Sequence, residues 1–119
     1  MKQLLIDLEK MGCDISGSLR RFANNENMYL KYLYRFPEED TLSKFQEALS
    51  QGDYLTAHNQ IHTFKGLSGN LGFTDLYQLA QEIMRLLQEQ DYQQLAICEK
   101  DLSAKYQQLI ELICLSRQK

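Results

Sequence analysis

A chain of 119 residues with a formal net charge of −3 is the size of one domain and too short for two independent cores. Its 13 basic and 16 acidic residues are interspersed, which excludes the basic block of a nucleic-acid arm or a membrane anchor, and no run approaches the roughly 18 apolar residues of a membrane span. One proline, six glycines and an apolar share of 44% favour an all-α chain, and the charged stretch after Met1-Lys2-Gln3, in place of a signal peptide, predicts a cytoplasmic protein.

Leu4, Leu5 and Leu8 open the chain at helical spacing, and Gly12 with Asp14 then breaks and restarts the backbone toward a short stripe of Ile15, Leu19 and Phe22. A third segment, from about residue 27 to 36, sets Met28, Tyr32, Leu33 and Phe36 on one side and stops at Pro37, which cannot continue a helix. Asp40 is placed to cap a helix bearing Leu42, Phe45 and Leu49; Gly52 ends it, and Asp53 caps the next. After Gly72, Thr74 or Asp75 is placed to start a helix with the stripe Leu76, Leu79, Ala80, Ile83, Leu86 and Leu87. Asp91 begins the last helix, whose stripe is Leu95, Cys98, Leu102, Tyr106, Leu109 and Ile113. Connections this short force neighbours to run antiparallel, so the expected architecture is a single-domain, up-and-down antiparallel four-helix bundle over about residues 40–117, with additional short N-terminal helices over about 1–36. Three widely spaced cysteines suit neither a disulfide framework nor a zinc knuckle, and Cys98 and Cys114 read as small core hydrophobes.

The helix after Asp53 carries the stretch AHNQIHTFKGLSGNLG, residues 57–72, with Gly66 and Gly69 where helix formers are expected. On a wheel of about 100° per residue, Ala57, Ile61, Phe64, Leu67, Ser68 and Leu71 share the core arc. His62 lies opposite, with Lys65, Gly66 and Gly69 within about 60° of it and His58 one turn before. A mid-helix glycine costs about 1 kcal/mol relative to alanine. Two of them on the solvent side relieve no crowding in the core, so they bare the helix surface for the backbone of another protein beside the imidazole. A neutral imidazole is a nucleophile near pH 7, and a lysine three residues on is close enough to neutralise an anion held on that ring. A phosphoryl group fits this pairing.

His62-Thr63-Phe64-Lys65-Gly66 followed by Gly72 resembles the motif of histidine-containing phosphotransfer (HPt) domains, His-x-hydrophobic-Lys-Gly with a second glycine six residues on. The resemblance extends through Asn70-Leu71-Gly72-Phe73, Leu76 and Leu79-Ala80, and upstream through Arg21-Phe22 and residues 53–57, so it covers most of the chain. It implies a four-helix bundle whose exposed histidine accepts a phosphoryl group from a receiver-domain aspartate and passes it to another receiver. By that resemblance His62 is phosphorylated, Lys65 favours the phosphate, and Gly66 leaves room for the receiver; Gly69, on the wheel, adds clearance, and His58 joins the docking face. The implied partners are response-regulator receiver domains and a hybrid histidine kinase, with no nucleic acid, no membrane and a monomeric chain. Many family members carry a glutamate or glutamine where this chain has Met84, which cannot hydrogen-bond the imidazole. Gln81, on the same helix edge as Tyr77, Met84 and Gln88, is the candidate to reach a ring nitrogen instead.

No nucleotide-binding loop of the GxxxxGK[ST] or GxGxxG type is present, so autonomous kinase activity is not expected, no cofactor is implied, and the metal and aspartate belong to the partner. Two rival readings remain. His58 and His62, four residues apart, could ligate a metal from one helix face, although two ligands are too few. The bare face could also dock a receiver or kinase without chemistry, as a helical interaction module.

Overall fold

Seven α-helices and one 3-10 turn follow one another along residues 2–118, which the computed structural model describes. The lead-in consists of α1 (Gln3–Lys10), α2 (Ile15–Arg21), α3 (Glu26–Arg35) and the 3-10 turn Phe36–Glu38. The bundle consists of α4 (Thr41–Ser50), α5 (Tyr54–Asn70), α6 (Thr74–Glu89) and α7 (Tyr92–Arg117). No strand occurs among the described residues, and the all-α helical bundle expected from the sequence is the architecture found.

The apolar stripes explain the packing. α5 lies between α4 and α6, and α6 packs on α7. Gln46 Nε2 closes the ring from α4 to α7 by donating to Glu99 Oε1 at 2.8 Å and Ser103 Oγ at 3.0 Å. α1, α3 and the 3-10 turn lie against α7. Phe36, fully buried, joins the lead-in to the bundle: its ring centroid is 4.9 Å from Phe73, 5.8 Å from Tyr106 and 6.0 Å from Phe64. The two ends of the lead-in and of α7 meet at Tyr34. Lys2 Nζ donates to its hydroxyl at 3.3 Å, the same hydroxyl is 3.2 Å from Ser116 Oγ, and Arg117 donates to its carbonyl at 2.9 Å.

Several helix starts behave as the sequence suggests, with the Asp14, Asp53 and Asp91 carboxylates accepting from the backbone N–H three residues on. Others differ. Asp40 does not cap α4 with its side chain; it pairs with Lys44 at 3.1 Å, and its carbonyl takes the Ser43 hydroxyl. Neither Thr74 nor Asp75 caps α6, whose N-cap is Phe73; the Thr74 N–H bonds the Gly72 carbonyl at 2.9 Å, and Asp75 pairs with Lys105 at 3.4 Å. α3 starts earlier than expected, under an Asn25 cap, and buries Tyr29, Leu30 and Leu33; Met28 and Tyr32, expected inside, are 46% and 43% exposed. Cys98 is buried as expected, whereas Cys114 is only half-buried near the end of α7.

Candidate functional site

The core face of α5 is the one the wheel gives: Ala57, Ile61, Phe64, Ser68 and Leu71 are buried and Leu67 is half-buried. His62 is exposed on the opposite face, with His58 half-buried one turn before it. Lys65 follows three residues later, about 4.5 Å further along the axis at 1.5 Å per residue. A Cβ built on Gly66 meets nothing within 4 Å, so the surface next to the imidazole is open.

Gly69 corrects the expectation of a second bare position. A Cβ there would stand 2.8 Å from Cδ2 of Tyr77, so the space this glycine leaves is filled by a ring from α6 and not held open for a partner. Lys65 Nζ lies 5.4 Å from the centroid of the same ring. Gln81 is exposed, and among the described residues it makes no hydrogen bond to His62; nor does any other side chain. The imidazole therefore lacks the orienting contact expected from Gln81, and Met84 is half-buried against the core. Among the described residues no group of three or more histidine, cysteine, aspartate or glutamate side chains comes together to hold a metal ion.

The C-terminus of α5 is fixed by the lead-in. Gly72 adopts φ +86°, and the Phe73 N–H bonds the Ser68 carbonyl at 2.9 Å while the Gly72 N–H bonds that of Gly69 at 3.2 Å, the paired bonds of a Schellman cap. The Asp14 N–H donates to Gly72 O at 2.8 Å, and a Cβ on Gly72 would stand 2.5 Å from both Asp14 O and Ser18 Oγ. The Arg21 guanidinium donates to Gly69 O at 2.8 Å and Asn70 O at 3.2 Å, and the Tyr29 hydroxyl to Leu71 O at 2.6 Å. Four consecutive carbonyls, from Gly69 to Gly72, are thereby satisfied by residues of the lead-in.

Comparison with sequence families places this arrangement. The family model described as Hpt domain matches residues 38–114, well over half of the chain. The chain belongs to the Hpt domain family. Comparison with curated proteins and with solved structures returned no match. Hpt domains are phosphocarrier modules of two-component signalling, not kinases, and interact with receiver domains and kinases. No helix among the described residues of this Hpt domain is long and apolar enough to cross a membrane.

Tyr77 and Tyr29 carry no signal in the sequence that assigns them a place in this Hpt domain. Tyr77 was one of several residues on the α6 edge, and only the glycine opposite it identifies the contact. Tyr29 falls outside the Met28, Tyr32, Leu33 and Phe36 stripe and yet is buried in α3.

Proposed function

We propose that His62 is the phosphoryl acceptor and donor of a multistep phosphorelay. A ring nitrogen of His62 attacks the phosphorus of a receiver aspartyl phosphate. The N–P bond forms as the acyl P–O bond breaks, the aspartate leaves as its carboxylate, and the imidazole gives up its ring proton to solvent. A second receiver aspartate reverses the step. Lys65 offsets the charge of the phosphoryl oxygens, and Gly66, with His58 at the margin, forms the surface on which the receiver docks. The receiver supplies the metal and most of the catalysis.

The observation that carries this reading is the exposed imidazole in mid-helix with open space at Gly66 one turn on. Open surface matters because in-line transfer needs the ring nitrogen to come within about 3–3.5 Å of the phosphorus, opposite the departing aspartate oxygen, before bonding changes. Incubation with a phosphorylated receiver should leave an acid-labile, base-stable phosphoryl group on the chain. The His62→Gln variant should carry none. An alkali-labile phosphate, or equal labelling of the variant, would overturn the assignment.

A further inference from the structure

We propose that Tyr77 is a positioning residue for Lys65, seated in the notch that Gly69 leaves and holding the ammonium on the α6 flank of His62. The inference rests on the reading of His62 as phosphoryl acceptor with Lys65 as its counter-charge. Three observations meet at this point. The ring occupies the space of the missing Gly69 side chain, with Cδ2 at 2.8 Å and Cε2 at 3.2 Å from an ideal Cβ. Lys65 Nζ lies 5.4 Å from the ring centroid, inside the range of a cation–π contact. Among the described residues, no carboxylate lies within 4.0 Å of the Lys65 ammonium.

The chemistry of the holder decides its use. A lysine on a solvent-exposed helix face samples many rotamers, which spreads its charge over a wide volume. A carboxylate partner would gather the side chain but would also cancel the charge that a phosphoryl dianion needs. An aromatic face gathers it without cancelling it, and holds it weakly enough to release the ammonium to phosphoryl oxygens when they arrive. Gly69 thus acts through two steps, making room for the ring that places the cation.

The test separates this role from a purely structural one. In the free protein, ring current from Tyr77 should shift the Lys65 Cε methylene protons upfield; Tyr77→Phe should keep that shift and Tyr77→Leu should abolish it. In transfer from a phosphorylated receiver, Tyr77→Leu should lower the rate constant at saturating receiver about two- to fivefold, the equivalent of an exposed cation–π contact. The half-saturating concentration should stay unchanged, and Tyr77→Phe should restore the rate. In a Lys65→Ala background, Tyr77→Leu should have no further effect. Equal Lys65 shifts in the parent protein and Tyr77→Leu, an unaltered rate in that variant, or a fall that persists without Lys65 would each overturn the proposal. If the parent protein accepts no phosphoryl group, the proposed function fails and this role falls with it, while an intact Lys65 shift would show the contact to be structural.

Discussion

Gly66 and Gly72 stand six residues apart in one motif, and the same substitution should separate them. At Gly66 a methyl group meets open space on a regular helix. Gly66→Ala should therefore raise stability by up to about 1 kcal/mol in urea denaturation, while slowing phosphoryl transfer from a receiver by obstructing its approach. At Gly72 the backbone is left-handed and the new Cβ would press on Asp14 O and Ser18 Oγ. Gly72→Ala should lower stability by more than about 2 kcal/mol. Two buried acids set an alkaline limit. Burial, with the Asp75 carboxylate adding to it, pushes the Cys13 thiol from its ordinary 9.0 up to about 12, and burial pushes the Tyr29 hydroxyl from 10.0 to about 12. Both folded values are raised, so folding favours the protonated groups. Their contribution is complete below pH 9 and is lost as pH rises toward about 12. The urea midpoint should fall over that window, and Cys13→Ala with Tyr29→Phe should flatten the fall.

Capping aspartates look alike in sequence but differ at the level of the helix. The Asp53 carboxylate accepts from the Thr56 N–H at 3.2 Å; the Thr56 side chain first and that N–H second hold its pKa below the ordinary carboxylate value, whereas Asp40 makes no such cap bond. Asp53→Ala should lower the thermal or urea midpoint through loss of the cap, and Asp40→Ala should leave it within the scatter of exposed ion pairs. Long stripes made the bundle legible from sequence: α6 and α7 bury the residues that three- and four-residue spacing selects, save Leu79 and Tyr106, which are half-buried, and α5 presents His62 opposite its core face. Short elements were less legible. α3 spans ten residues, under three turns, and its apolar residues offer two overlapping stripes, of which the one with Tyr29, Leu30 and Leu33 is buried and Met28 with Tyr32 is left outside. At the α5–α6 turn, the left-handed Gly72 makes Phe73 the N-cap, so Thr74 and Asp75 already lie inside α6 and neither stands at the capping position.

Across the whole molecule, the site is a bundle surface braced by elements outside the matched family segment. Residues 38–114 carry the Hpt match, yet Arg21, Tyr29 and the Asp14 backbone hold the carbonyls that end α5. The motif around His62 was readable because its residues lie on one helix, where sequence spacing fixes geometry. Gly69 was misread because its neighbour comes from another helix, and no spacing within α5 encodes the position of Tyr77. The junction at Tyr34 has a consequence for how this unit connects to other polypeptide. Lys2 and Ser116 reach the same phenol oxygen from opposite ends of the sequence, so both ends emerge side by side. A circular permutant with those ends bridged by a short glycine–serine linker and reopened in the exposed turn at Gln51 and Gly52 should keep the parental helical circular dichroism and a cooperative melt. By the same geometry the unit can be spliced into a loop of a host protein, leaving close to where it came in, with neither host nor guest prised apart.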